Sequence, residues 1–291
     1  MTVSVPDALQ PSLRRVYREA GRVTAPLRVL PSFLVVGGQR CGTTSLHRAL
    51  RQHPAVVDAS LKKGVHYFDL HYGKGGGWYR GHFPFAMTTR RLARRLGTSV
   101  LAGESTPYYM FHPLAPARIA DDLPGVRLIA MLRDPVERAY SAYTHERARG
   151  YESLGFAEAV DAEPERLAGE VERLRNDPGY VSHAHQHNAY LTRGQYVEQL
   201  RALEAAVGRD RLLVLDSHRL FDDPGAVLLE VLDFLALPPD PGMSLSHHNE
   251  RPRAALDTRL RSRLEAHFQP YDQALAAWWG RPVSWQAPRR G

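Results

Sequence analysis

The residues best suited to hold a phosphate are Gly37-Gly38-Gln39-Arg40-Cys41-Gly42-Thr43-Thr44-Ser45. Glycines let the backbone turn tightly. The first amides of a helix have no intrahelical carbonyl to donate to, so a glycine turn that opens a helix aims bare N–H groups at an anion. Thr43, Thr44 and Ser45 add hydroxyl donors, and Arg40 is the only cation in the loop. A second set follows in Arg133-Asp134-Pro135-Val136-Glu137-Arg138-Ala139-Tyr140-Ser141. An arginine at a strand mouth with a serine beside it can grip a second phosphate through charge-assisted hydrogen bonds. Each set also has a plain structural reading, a capped glycine turn for the first and an Arg133–Glu137 ion pair for the second.

The elements that must position these residues read as alternating strands and helices. Phe33 to Val36 is a short apolar run, a buried strand by its pattern, and Thr43 to Gln52 follows as a helix. Val126 to Leu132 is a second buried strand. The helix after it has Asp134 at its N-cap, Pro135 in its first turn and Glu137 at the third position. Leu212 to Leu215 is a third strand, followed by a helix from Pro224 to Leu235 capped by Asp223. Val65 to Phe68 and Ser99 to Ala102 are shorter strand candidates. Thr88 to Leu96, Gln195 to Val207, Ala254 to Phe268 and Tyr271 to Trp279 read as helices, with a short amphipathic one over residues 7–22. Residues 150–195 mix loop and helix. This order predicts an α/β fold, a P-loop-type parallel sheet with helices on both faces in a single domain, with ligands at the carboxyl ends of the strands. The glycine loop departs from the triphosphate pattern G-x-x-x-x-G-K-[ST]: Gly37 and Gly42 keep the spacing, but Thr43 stands where the lysine belongs.

The two phosphate motifs together, G-x-x-R-x-G-T-T-S-L and R-D-P-x-x-R-x-x-S-x-Y, resemble those of sulfotransferases that use 3′-phosphoadenosine 5′-phosphosulfate (PAPS). The match is residue by residue at Arg40, Gly42, Thr43, Thr44, Ser45, Leu46, Arg133, Pro135, Ser141 and Tyr143. It extends more loosely from about Phe33 to Trp279, through Gly103 to Tyr109, Arg193 to Tyr196 and Leu220 to Pro224. The resemblance implies that the first loop, Arg40 to Ser45 with Cys41 included, binds the 5′-phosphosulfate. It implies that Arg133 and Ser141 bind the 3′-phosphate, with Tyr196 and a basic loop at Arg251 and Arg253 completing the cofactor site. The product would be adenosine 3′,5′-bisphosphate, and no metal is implied. On this reading residues 1–30 are an extension, 31–286 the sulfotransferase domain and 287–291 a disordered tail.

Lys62-Lys63-Gly64-Val65-His66-Tyr67-Phe68-Asp69 is similar to the K-E-x-H-F-F-D segment of carbohydrate sulfotransferases such as the heparan sulfate enzymes. There the glutamate is the proposed catalytic base, and here Gly64 occupies its position. His66 and His145 remain as candidates. His145 lies four residues after Ser141, hence on the same helix face, and matches a helix histidine of some N-sulfotransferases. The resemblance makes Arg40 and Lys63 the cations of the sulfuryl site, His66 the general base and His145 a contact to the sulfuryl group or a second residue sharing the base role. Cys41, at a helix start, is placed where a thiol's pKa tends to fall, although a small residue that merely fits is the simpler reading.

Composition bounds these readings. The chain has 291 residues, 43% hydrophobic and 24% charged, and a net charge of +7. Only Lys62, Lys63 and Lys74 are lysines; the remainder of the 38 basic residues are arginine. The charge suits an anionic ligand, but no nucleic-acid recognition motif accompanies it. Cys41 is the single cysteine, which excludes an intrachain disulfide. No apolar h-region opens the chain and no stretch reaches the roughly 18 apolar residues of a membrane helix, so a cytoplasmic protein without integral membrane association is expected. The acceptor is expected to be a carbohydrate or small metabolite, with oligomeric state open. Competing readings are a P-loop kinase or nucleotidase, and a degenerate, non-catalytic nucleotide binder in which Gly64 marks the loss of the base.

Overall fold

In the computed structural model, which describes residues 19–59, 63–245 and 255–286, five strands form one parallel sheet. They are β1 (Phe33–Val35), β2 (Val56–Asp58), β3 (Leu101–Ser105), β4 (Arg127–Leu132) and β5 (Leu212–Asp216), in the order β2-β3-β1-β4-β5. Around them run α1 (Thr43–Leu50), α2 (Tyr67–Leu70), α3 (Ala86–Leu96), α4 (Ala115–Asp122), α5 (Pro135–Ala148), α6 (Tyr196–Val207), α7 (Pro224–Phe234) and α8 (Thr258–Trp279).

The strands are continuous apolar runs because both faces of the sheet are covered. Side chains alternate between the faces. Leu34 and Val36 of the central segment, with Leu128, Ala130 and Leu132 of β4, pack on one side with Ala115 and Ile119 of α4 and Tyr196, Leu200 and Leu203 of α6. Phe33, Val35, Ile129 and Met131 pack on the other with Leu46 and Ala49 of α1 and Val227 and Val231 of α7. β1 is central, in register with Gly103–Ser105 of β3 and Arg127–Ile129 of β4. Its carboxyl end therefore opens between two neighbours, with the strand order turning back on itself there, which is where a ligand crevice belongs in such a sheet.

Several expectations change. Val65 to Phe68 is not a strand: Val65 N–H donates to the carboxylate of Glu104 at 2.6 Å instead of to a ladder, and α2 starts at Tyr67. β2 is an edge strand too short for a periodic signal. The two expected C-terminal helices are one, α8, which runs through Pro270. Leu264, Phe268 and Leu275 are buried along one side of it, and that packing outweighs the hydrogen bond lost at proline. The expected N-cap bonds form, with Asp134 accepting from Val136 N–H and Glu137 N–H, and Asp223 from Ala226 N–H. Arg251, Arg253, Lys62 and the 287–291 tail lie outside the described residues.

Candidate active site

The glycine loop leaves β1 pressed against β4. Val36 N–H donates to Ile129 O and Gly38 N–H to Met131 O, both at 2.9 Å. A Cβ on Gly37 would lie 1.9 Å from Met131 N, so only glycine fits there. Gly42 caps α1 with φ +86°, and Arg40 also takes a left-handed conformation, φ +72°. For a residue with a Cβ this conformation is unfavourable by about 1–2 kcal/mol. It is the sort of local strain a binding loop keeps when its surroundings fix it. Cys41 N–H turns back to Gly38 O and Ser45 N–H to Gly42 O, while the first two amides of α1, on Thr43 and Thr44, donate to no backbone carbonyl among the described residues.

Two motifs distant in sequence meet at Arg40. Its Nε donates to Ser141 Oγ at 3.0 Å, and Arg133 Nη1 donates to Arg40 O at 3.4 Å. Arg133 also faces Glu137 at 3.8 Å, a partly exposed and loose pair, weak by that geometry. Tyr196, buried, donates its hydroxyl to Arg133 O at 2.8 Å and lies 3.8 Å from Cys41 Sγ. Tyr196 thus joins the two motifs from beneath. Cys41 is fully buried as well, and burial first of all pushes its thiol up to about 11, the reverse of the expected fall. Burial outweighs the helix terminus here. The side chains of Cys41 and Tyr196 therefore support the loop from the core, and any cofactor contact of Cys41 is through its backbone.

The lysine missing from the loop arrives from another segment. Lys63 Nζ donates to Thr44 Oγ1 at 2.8 Å and to Thr43 Oγ1 at 3.3 Å. Burial, then the charge of Arg48, brings its pKa down from 10.5 to about 8. Position 64 has no room for a side chain: a Cβ would lie 2.7 Å from Thr106 Oγ1 and 2.8 Å from Ser105 O. His66 follows at φ +57°, with Nδ1 2.8 Å from Asp69 Oδ2. Asp69 is buried and the His66 side chain is 38% exposed. The carboxylate selects the Nδ1–H tautomer and makes Nε2, on the opposite edge of the ring, the basic nitrogen.

Sequence reasoning missed two anchors. Glu104, fully buried at the end of β3, accepts from Val65 N–H, Tyr79 OH at 2.7 Å, Thr106 Oγ1 at 2.9 Å and Tyr109 OH at 3.0 Å. Burial raises its pKa against those bonds. With every lone pair engaged it is an anchor for the Lys63–His66 segment and not a substitute base. The second anchor holds Gln39, whose amide donates to Glu146 Oε1 at 3.0 Å and accepts from Arg193 Nη1 at 2.5 Å. Glu146 also meets His187 Nδ1 at 3.0 Å and Arg149 Nη1 at 3.3 Å. Burial would raise its pKa, but the hydrogen bond and charge of His187, then Arg149 and His145, take it below the usual carboxylate range. The chain-local signal in both cases was only a carboxylate in a weakly matching motif or beside a histidine. His145 lies one turn beyond Ser141 on α5.

A glycine loop with bare helix-start amides, a lysine on its hydroxyls and an arginine–serine bridge to α5 form an anion cradle at the carboxyl end of a parallel α/β sheet. The profile of the family described as "Sulfotransferase domain" matches residues 30–251, and the chain belongs to that family. The human bifunctional heparan sulfate N-deacetylase/N-sulfotransferase 3 is 31% identical over 222 residues, 72% of this chain and 23% of that protein. The membrane-associated sulfotransferase kil1 of Dictyostelium discoideum is 38% identical over 121 residues, 42% of this chain and 24% of that one. The chain spans about a quarter of the length of these curated relatives. A crystal structure of a sulfotransferase from Alicyclobacillus acidocaldarius shares 28% identity and superposes with TM-score 0.62, covering 88% of this chain and 98% of that one. Membership of that family, with the matching fold, disfavours the kinase reading. No helix among the described residues is long and apolar enough to cross a membrane.

Proposed function

We propose that this chain transfers a sulfuryl group from PAPS to a hydroxyl, or an amine, of a carbohydrate or small-molecule acceptor. The single observation that carries the reading is the bridge from Arg40 to Ser141, with Lys63 on the hydroxyls of Thr43 and Thr44. It puts three phosphate-binding features on one loop. PAPS supplies the activated sulfuryl group. The amides of Thr43 and Thr44 and the hydroxyls of Thr43, Thr44 and Ser45 would hold its 5′-phosphosulfate. Arg133 and Ser141 would hold the 3′-phosphate, with Arg251 and Arg253 as further cations over the nucleotide.

In-line transfer forms a bond from the acceptor oxygen to sulfur and breaks the bond from sulfur to the phosphate oxygen, which keeps the electron pair. Most of the catalysis then lies in positioning and in stabilising charge on that leaving oxygen. Arg40 and Lys63 do the latter. His66 Nε2 takes the acceptor proton, and Asp69 stabilises the imidazolium that forms. His145 contacts the sulfuryl oxygens. The base role falls to His66 because position 64 leaves no room for a glutamate. No metal takes part in this scheme, residues 31–286 form the catalytic unit, and the protein works in the cytoplasm.

The test has two stages. Adenosine 3′,5′-bisphosphate without magnesium should raise the melting temperature, as any ligand selective for the folded state does. Stabilisation by ATP with magnesium alone would return the kinase reading. Labelled sulfate from PAPS should then pass to a component of the host extract. Cofactor binding without transfer to any acceptor would mean a non-catalytic binder.

A further inference from the structure

Among the described residues, exposed apolar side chains concentrate in two short segments that meet each other. Among the described residues eight large hydrophobics are exposed, and five of them are Val23, Leu27, Leu30, Phe85 and Met87. The two segments are joined: Arg28 pairs with Phe85 in an antiparallel bridge, Val29 N–H donates to Pro84 O at 3.0 Å, and the Arg28 guanidinium lies over the Phe85 ring at 4.2 Å. Leu27 and Met87 remain 64% and 61% exposed.

The neighbouring helix α3 has two unlike sides. Thr89 is buried, and Leu92, Ala93 and Leu96, three to seven residues on, are partly covered. Met87, Arg90, Arg91, Arg94 and Arg95 are exposed. These recur at helical spacing, so Met87 and the arginines share the outer side. None of the four arginines has an ion-pair partner among the described residues. No Asp or Glu occurs between Asp69 and Glu104, nor between Glu19 and Asp58, so both segments are free of acidic residues. The chain runs from this face into β1 and β3, at the strands' amino ends, and the phosphate loop lies at their carboxyl ends. Nothing in the proposed chemistry uses it.

We propose that this face docks the protein peripherally on an anionic lipid surface. Leu27, Phe85 and Met87 enter the headgroup layer, and the arginines of α3 pair with lipid phosphates. Exposed apolar residues next to uncompensated basic charge are what such a surface rewards on both counts, through apolar burial and through attraction to its negative potential. The other occupants fit less well. A second copy meeting the face about a two-fold axis would oppose two sets of unpaired arginines. A soluble polyanionic glycan would satisfy the arginines and give the apolar residues nothing to enter. Docked this way, the protein keeps its phosphate cleft turned toward solution.

The test is sedimentation of the full chain with vesicles of phosphatidylcholine, with and without phosphatidylglycerol. The protein should pellet with the anionic vesicles only, and less at high salt. Arg90→Gln with Arg94→Gln should weaken partitioning about tenfold or more, since each basic residue near such a surface contributes roughly one factor of five. Leu27→Ser with Met87→Ser should weaken it too, with unchanged melting temperature and unchanged binding of adenosine 3′,5′-bisphosphate for both variants. Equal pelleting with neutral vesicles, or none with anionic ones at low salt, overturns the proposal. So does full partitioning by the Leu27/Met87 variant, which would mark a site for soluble polyanions, or a dimer that Leu27→Ser dissolves in a protein that ignores vesicles. None of these readouts requires sulfate transfer, so the result stands apart from the fate of the proposed reaction.

Discussion

At the scale of single residues, Lys63 makes the sharpest commitment. Burial and Arg48 hold its pKa near 8, so in the free protein it loses its proton as pH rises through about 8. An anion bound at Thr43 and Thr44 would lie beside Nζ and favour the charged form. Cofactor binding must then take up a proton above pH 8, and affinity should fall by about tenfold per pH unit there, one proton's linkage. Calorimetry of adenosine 3′,5′-bisphosphate in buffers of different ionisation enthalpy reads this directly: enthalpies diverge at pH 9 and agree at pH 6. Lys63→Met should abolish the divergence, and an unchanged proton uptake in that variant would assign it elsewhere. The same linkage gives a stability sign. A lysine with a lowered folded pKa costs stability while charged, and the cost is relieved as pH rises through 8 toward 10.5. His66 and Asp69 make a second prediction. His66→Ala should lower kcat by about 100-fold or more, within the range for a lost general base. Asp69→Asn should lower kcat less than His66→Ala, because it removes the carboxylate that holds the Nδ1–H tautomer but leaves the imidazole in place. Near-normal turnover of folded His66→Ala would remove it from the chemistry.

At the scale of elements, the phosphate loop is a turn held from three sides. Gly37 rests on β4, Gln39 is clamped between Glu146 of α5 and Arg193, and Arg40 is fastened to Ser141 of α5. The left-handed Arg40 persists because its neighbours fix it. Glu146→Gln removes the charge that draws Gln39, Arg149 and His187 together, so it should weaken cofactor binding several-fold through the loop. A KM for PAPS that rises with kcat little changed distinguishes this from a lost catalytic group. The turn itself was legible in the sequence, since glycine spacing, hydroxyls and caps are local features. So were the central strands, whose apolar runs reflect burial on both faces. The clamps were not legible. Lys63 and Thr44 are 19 residues apart, Glu104 and Val65 39, and Gln39 and Arg193 154. A single chain carries no periodic trace of contacts that only the folded sheet creates. The segment at Val65 was misread for the same reason: its apolar residues fit a strand until the Glu104 carboxylate takes the amide a strand would have used. Pro270 misled in the opposite direction, a local breaker overruled by packing along α8.

At the scale of the whole molecule, α8 closes one side of the fold and carries a buried charge where it does so. Asp272, 5% exposed, accepts from Trp285 Nε1 at 2.9 Å. Burial is the first cause that lifts its pKa from 3.8 to about 6, opposed by the Trp285 hydrogen bond and aided by Asp134. The native state therefore binds this proton more readily than the unfolded chain. The stabilisation from protonation is fully present below pH 3.8 and is lost as pH rises through 6. Above that, the protein bears the cost of a buried carboxylate. Asp272→Asn keeps an oxygen for Trp285 and removes the charge, so it should stabilise the protein at pH 8 by up to about 3 kcal/mol, several degrees in melting temperature for a domain of this size. The gain should shrink across pH 6 to 4 and vanish below, where the aspartate is neutral in both states. Taking the difference between variant and parent at each pH cancels the titrating groups that do not interact with Asp272; Asp134, which does, adds to the gain while both are charged. A gain that stays constant with pH would place the benefit in packing, and a loss at pH 8 would mean that the carboxylate's bond to Trp285 outweighs its burial.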